Sequence, residues 1–195
     1  MNAVAIPKAE GWHLLGAFPD QEPDDVGSWL LTSGADALLL ELPPGLTVPI
    51  VKARLDSAKV TLRYVTASHT HEDHLDADVW NELIDAFPEA DFICPSEAGG
   101  DRKIMLGHEP VWLVKAPKHS PDDMVVIFRG VAMMGDIELG MLKSVNSEVA
   151  VETKKASMAY LRDFPVRTSY HVHTIVSAHL NDHREGVNWP ALFEW

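Results

Sequence analysis

The run His69-Thr70-His71-Glu72-Asp73-His74 directly follows Thr61 to Ser68, a segment dense in β-forming residues. Side chains two apart on an extended segment share a side, so His69 and His71 present two imidazoles together. Neutral imidazole and carboxylate are the groups that hold Zn²⁺ or a similar divalent ion. With Asp73 and His74 added, the run can face two ions if the backbone turns sharply after His71. Composition alone predicts only about 0.002 chance occurrences of this pattern in such a chain. The fold must therefore end a strand where three histidines and an aspartate can converge.

The remainder of the chain narrows the class. Its 195 residues and 21.6 kDa suit one domain, 1–195, with a sizeable core. Sixteen Lys and Arg against 29 Asp and Glu give a formal charge of −13, which opposes a phosphate backbone and argues against nucleic acid as a partner. The longest apolar runs, such as Ala37 to Leu40 and Val125 to Phe128, fall well short of the roughly 20 residues of a membrane helix. Met1 to Glu10 has only scattered apolar residues beside Lys8 and Glu10, unlike a secretory leader. Cys94 is the only cysteine, so no internal disulfide forms, and a strand from Asp91 to Cys94 is expected to bury it. The expectation is a cytoplasmic protein without membrane association.

Strands and helices alternate, as in mixed sheets covered by helices. Strands are predicted at His13 to Phe18, Ser28 to Thr32, Ala37 to Glu41, Thr61 to Ser68, Asp91 to Pro95, Val111 to Lys115, Met124 to Phe128, Val131 to Met134 and Thr174 to Ala178. Helices are predicted from Pro49 through Leu55, from Asp78 to Phe87 by apolar spacing, and from Ser147 to Phe164, the last stopped by Pro165. Pro19 to Gly27, Ser96 to Leu106 and Gly140 to Ser144 read as loops that shape a pocket. Trp29, Trp80 and Trp112 read as core before pocket wall. The C-terminal Trp189, Leu192, Phe193 and Trp195 suit either a homo-oligomer interface or packing on the chain's own core.

Three more ligand-type residues follow the histidine run: His119 in Ala116-Pro117-Lys118-His119-Ser120-Pro121, Asp136 after Met133-Met134-Gly135, and His179 after Val176-Ser177-Ala178. In this complete set the chain resembles the metallo-β-lactamase superfamily. The resemblance implies an α/β fold, a four-layer αββα sandwich. It also implies His69, His71 and His119 on one metal ion, Asp73, His74 and His179 on a second, and Asp136 bridging them. Seven ligands shared by two ions leave open positions, as in catalytic rather than closed structural sites. The cations, zinc first and iron as the alternative, would keep the centre net positive and stabilise a developing oxyanion.

Several positions depart from the family's pattern. Leu40-Glu41-Leu42-Pro43-Pro44-Gly45 stands where Asp-Thr-Gly is usual, Leu75-Asp76-Ala77 replaces a glycine pair, and Asp122-Asp123 stands where a glycine often follows the third motif. Glu41 is thereby left without an assigned role. His13, His108, His171, His173 and His183 have no place in the pattern and read as surface or core residues. His171 and His173, near the last ligand strand, are also weighed as substrate contacts. Glu72 reads as a solvated carboxylate.

The function expected is a dinuclear metal-dependent hydrolase that uses a metal-bound hydroxide to cleave an ester, lactone, thioester or amide of a small molecule. Asp73, as ligand and catalytic base, would position water and pass a proton to the leaving group. The competing readings are an iron-dependent, sulfur-dioxygenase-like oxidoreductase on the same scaffold, and a non-catalytic interaction module.

Overall fold

The computed structural model describes residues 9–15, 25–136, 148–179 and 183–194. Two sheets lie face to face. The first has the strand order β1 (Trp12–Leu14), β2 (Trp29–Ser33), β3 (Asp36–Leu40), β4 (Thr61–Thr66) and β5 (Asp91–Ile93). The second runs from β6 (Arg102–Leu106) through β7 (Glu109–Lys115), β8 (Met124–Phe128), β9 (Val131–Met133) and β10 (Thr174–Val176) to β11 (His183–Glu185). Helices α1 (Val48–Ala58) and α2 (Ala77–Ala86) cover one sheet; α3 (Val151–Arg162), α4 (Phe164–Thr168) and α5 (Trp189–Leu192) cover the other.

Three apolar layers hold this stack together. Leu31, Leu38, Leu40, Leu113, Val126 and Phe128 fill the space between the sheets, with Trp12 edge-on to Trp29 at a centroid distance of 5.8 Å. Alternate residues of the same strands, such as Leu30 and Leu39, instead meet Val51 and Leu55 of α1 and Leu83 of α2. Val114, Val125 and Ile127 meet Met158 and Leu161 of α3 and Phe164 of α4. A strand apolar on both faces is what a sheet buried between two layers requires. The architecture is the αββα sandwich anticipated from the sequence.

Several element boundaries differ from the sequence reading. Arg102–Leu106, expected inside a loop, is the edge strand β6, joined to β7 through Gly107-His108 with Gly107 at φ +59°. Its exposed Arg102, Lys103 and Met105 obscure the strand in the sequence, and charges on an edge strand also discourage pairing with other chains. The predicted helix from Ser147 to Phe164 is α3, ending at Arg162, followed by α4. Pro165 lies in the first turn of α4, where its missing N–H costs nothing, so it starts a new helix rather than ending the helical run. β5 ends at Ile93, which leaves Cys94 half-buried with Sγ 3.2 Å from Ser96 Oγ rather than enclosed in a strand. Neither β11 nor α5 was anticipated. The predicted Pro19 to Gly27 loop lies mostly, and Gly140 to Ser144 and Trp195 wholly, outside the described residues.

Trp29 is buried in the core, and Trp80 and Trp112 are half-buried and pack against the helical layers. Trp189 and Phe193 are also buried, their rings 4.7 Å apart, and Trp189 donates its indole N–H to the Leu161 carbonyl at 2.7 Å. Trp189 and Phe193 thus pack on the chain's own core. Among the described residues no helix is long and apolar enough to cross a membrane.

Strand direction decides where the ligand-type residues emerge. β3 and β4 are parallel, with Leu40 opposite Thr66, so Glu41 and the segment leading to His69 leave the first sheet at the same end. In the second sheet β9 and β10 are parallel, with Met133 opposite Val176, which sends Asp136 and His179 out together. β7 and β8 pair antiparallel with Lys115 opposite Met124, so the loop carrying His119 opens at that end as well.

Candidate metal centre

After β4 the chain extends through His69 and His71 and then turns sharply: the amides of His74 and Leu75 donate to the His71 carbonyl at 2.9 and 2.8 Å. The turn brings His74 back toward His69, with ring centroids 4.0 Å apart. It is pinned to the exit of β3, where Leu42 N–H donates to the His74 carbonyl at 2.7 Å and Asp76 N–H donates to the Leu42 carbonyl at 3.0 Å. Asp76 then caps α2, accepting from the amides of Asp78 and Val79 at 2.9 Å each. Six residues thus offer four potential ligands before a helix begins.

Two groups of ligand atoms result. In the first, His71 Nδ1 lies 3.0 Å from His69 Nε2 and 3.2 Å from His119 Nε2, and Asp136 Oδ2 lies 3.5 Å from His119 Nε2 and 3.9 Å from His69 Nε2. In the second, Asp136 Oδ1 lies 2.7 Å from His74 Nε2 and 3.1 Å from His179 Nε2, and Asp73 Oδ2 lies 3.6 Å from each of those nitrogens. Within each group the ligand atoms lie within 4.8 Å of one another. A tetrahedron with arms of about 2.0–2.1 Å has edges of about 3.4 Å, so these spacings suit a cation at the centre of each group. Asp136 offers one oxygen to each. The structure brings all seven sequence-derived residues into this one cluster.

The polar atoms test the fit independently. His74 Nε2 and Asp136 Oδ1 are buried and have no hydrogen-bond partner among the described residues, although only 2.7 Å separates them. They approach each other without the geometry of a hydrogen bond. Buried polar atoms left unpaired are costly, and a cation between them would satisfy both. The donor set, imidazole nitrogen and carboxylate oxygen, suits zinc and also iron.

The remaining ring atoms are held from behind. His69 Nδ1 lies 3.1 Å from Ser68 Oγ, and His74 Nδ1 lies 3.2 Å from Glu41 Oε2. Glu41, fully buried with a left-handed backbone at φ +66°, also accepts the Ser68 amide at 3.2 and 3.3 Å. It therefore orients the His74 ring, a role the departure from Asp-Thr-Gly concealed. Gly135, at φ +69°, lets the backbone leading to Asp136 approach Ser68: a Cβ there would lie 3.1 Å from Ser68 Oγ and 3.2 Å from its Cβ. His171 and His173 precede β10, at the end opposite His179, and do not reach the cluster. Glu72 is exposed, whereas Glu148 Oε1 lies 3.6 Å from His71 Nε2.

Without cations the cluster is strongly polarised. Burial and the neighbouring His74 charge push the His69 imidazole down to about 3. Burial alone would also lower His74, but the Glu41 charge, supported by Asp136, outweighs it and raises the imidazole to about 10. Asp136 is held far below the usual carboxylate range, because His179 and His74 overcome its burial. Ligand-type groups with such divergent proton affinities are characteristic of functional sites.

No family model matches the sequence, and no curated protein matches it. Solved structures do. The chain is similar to ETHE1 from Myxococcus xanthus at 15% identity, covering 86% of this chain and 75% of that one, with a TM-score of 0.60. It is similar to the metallo-β-lactamase MIM-1 from Novosphingobium pentaromativorans at 14% identity, over 95% and 82% of the two chains, with a TM-score of 0.61. A metallo-β-lactamase family protein from Thermus thermophilus matches at 13% identity over 93% and 77%, with a TM-score of 0.59. The chain has the metallo-β-lactamase fold.

Proposed function

We propose that this protein is a dinuclear metal-dependent hydrolase of a small cytoplasmic molecule bearing an ester, lactone, thioester or amide. The observation that carries the reading is Asp136, whose two carboxylate oxygens address two separate groups of ligand atoms. A single structural ion would use neither Asp73 nor the second oxygen. His69, His71, His119 and Asp136 Oδ2 would hold one ion, and Asp73, His74, His179 and Asp136 Oδ1 the other. When bound, two divalent cations supply Lewis acidity and lower the pKa of water to about 7.

The chain's own residues complete the chemistry. Asp73 has the most exposed side chain of the seven, so its carboxylate borders the mouth. It orients the attacking water and accepts a proton at a carboxylate oxygen. As water adds to the carbonyl carbon, the bond to the leaving oxygen, nitrogen or sulfur breaks, and Asp73 returns that proton to the leaving atom. His69 and His74, both fully enclosed, form the dry floor against which charge develops.

The test combines metal analysis with a substrate screen on the purified full chain. Two zinc ions per chain, with hydrolysis of activated esters or lactones abolished in Asp73→Asn and His71→Ala, supports the reading. Unchanged turnover in either folded variant overturns it. Stoichiometric iron with thiol-dependent oxygen uptake would replace it with the oxidoreductase reading.

A further inference from the structure

We propose that the adjacent Asp122 and Asp123 position the three-histidine group, setting His119 against the His69-Thr70-His71 arm and controlling cation occupancy there but not at the Asp73, His74 and His179 group. This inference rests on the reading of the seven residues as metal ligands.

Asp123 shapes the loop that carries His119. Its Oδ2 accepts the backbone N–H groups of three successive residues, Lys118 at 2.8 Å, His119 at 2.6 Å and Ser120 at 3.1 Å. Three consecutive amides can converge on one oxygen only when the backbone curls around it, and the His119 imidazole hangs from the middle of the curl. The carboxylate is buried, and its charge is met by the equally buried Lys118, whose Nζ lies 3.5 Å from the same oxygen. Lys118 Nζ also donates to the Ala116 carbonyl at 3.1 Å, which secures the entrance to the loop.

Asp122 ties that loop to the other arm. Its Oδ2 accepts the Thr70 hydroxyl at 2.5 Å, and its Oδ1 accepts the Ser120 hydroxyl. Thr70 lies between His69 and His71, and Ser120 is next to His119. One carboxylate therefore spans the two chain segments whose imidazole nitrogens must meet. The next residue but one adds a third tie, since Met124 N–H donates to the Ser68 carbonyl at 2.7 Å. The result is the 3.2 Å approach of His119 Nε2 to His71 Nδ1.

Among the described residues the second group makes no contact with the Asp122 carboxylate. His74 rests on Glu41 and on Ser68, which it shares with His69, and His179 follows Ala178, whose amide donates to the Gly135 carbonyl at 3.1 Å. Loss of the Asp122 tie should therefore separate the two ions.

The experiment measures Zn²⁺ binding to the metal-free full chain by competition with a chromophoric chelator, alongside the thermal midpoint of each metal-free variant. Thr70→Val removes the hydroxyl but keeps volume and charge, and Asp122→Ala removes the acceptor. In an Asp73→Asn background, where the three-histidine group alone is intact, each should weaken Zn²⁺ binding by about 10–100-fold, the range typical of residues that orient ligands. In a His71→Ala background neither should alter binding at the remaining group. Thr70→Val combined with Asp122→Ala should be no weaker than Asp122→Ala alone, because the Thr70–Asp122 bond that the first removes is already lost in the second. Equal weakening in the two backgrounds, unchanged binding in both, or fully additive losses would overturn the proposal. If Asp122→Ala fails to fold, Thr70→Val in the two backgrounds decides alone. A wild-type chain that takes up no Zn²⁺ overturns the ligand assignment itself and this inference with it, whereas normal wild-type uptake with insensitive variants overturns this inference alone.

Discussion

Glu41 Oε2 lies 3.2 Å from Nδ1 of His74, both side chains are fully enclosed, and the opposite nitrogen of the same ring faces Asp136. The pair converts a residue outside the ligand set into a determinant of it. Glu41→Gln keeps the shape but removes the charge, and should weaken Zn²⁺ at the Asp73, His74 and His179 group by about 10–100-fold while leaving the three-histidine group unaffected. Glu41→Ala should go further and destabilise the metal-free protein by about 3–5 kcal/mol, because it strips the partner from a buried charge. Chelator competition and urea unfolding read the two effects separately; a Glu41→Gln chain with wild-type affinity would remove the positioning role.

Protonation makes a second prediction. A histidine must be neutral to offer Nε2 to a cation, yet His74 in the metal-free protein is raised from 6.5 to about 10. It is charged at pH 7, and metal binding must expel that proton. His69, lowered to about 3, is already neutral there and releases none. Titration of Zn²⁺ at pH 7 in buffers of differing ionisation enthalpy should therefore show release of about one proton traceable to His74. The associated apparent affinity should rise about tenfold per pH unit up to the raised pKa. In stability the sign is opposite: a raised pKa stabilises the metal-free fold below pH 6.5, and that contribution fades as the pH climbs toward 10. Glu41→Gln should shrink both effects, and a release that does not change in that variant would point to another group.

The candidate ligands of the histidine run were legible in the sequence because metal chemistry admits few residue types and strand geometry fixes their spacing, and His119, Asp136 and His179 joined them through the resemblance to the metallo-β-lactamase superfamily. Three histidines within six positions after a β-rich segment need no knowledge of the tertiary structure to be placed together. The supporting groups were not legible. Glu41 and Asp122-Asp123 appeared only as departures from a family pattern, since Ser68 and His74, which meet Glu41, and Thr70, which meets Asp122, lie 27 to 52 positions away along the chain and come together only once β3 pairs with β4 or the two sheets stack. Among the fold elements, β6 was hidden by its exposed Arg102 and Lys103, and α4 by Pro165, since a proline can either end a helix or begin one. Core strands such as β8, apolar throughout, were read to the residue.

Gly135 links the backbone of the second sheet to the first. It combines φ +69° with an approach to Ser68 that a methyl group would crowd at 3.1–3.2 Å. Gly135→Ala should cost about 1–3 kcal/mol from the left-handed conformation alone. It should also disturb Ser68, whose hydroxyl contacts both His69 and His74, and so weaken both ions together. That pattern contrasts with the selective losses expected for Glu41 and Thr70. Urea denaturation and metal content after dialysis would measure it, and a variant of wild-type stability would show that the local backbone relaxes without strain.

The helical face of the second sheet provides the complementary case, in which stability and site should separate. Phe164, Trp112, Tyr170, Trp189 and Phe193 form a chain of ring contacts beneath α3 to α5, none of them reaching a metal-ligand candidate. Trp189→Ala removes a buried ring and leaves the Leu161 carbonyl without the indole donor, so the expected cost is about 3–5 kcal/mol. At temperatures where the variant remains folded, its Zn²⁺ stoichiometry should equal that of the wild type, because the strand ends carrying Asp136 and His179 are fixed by β9–β10 pairing rather than by α5. Light scattering on the same variant addresses the outward role that the C-terminal aromatics could have had. Trp189 and Phe193 face inward, so their loss should change stability without changing a particle size that an intermolecular contact would set. A drop in molecular mass that precedes unfolding would instead place this segment between subunits.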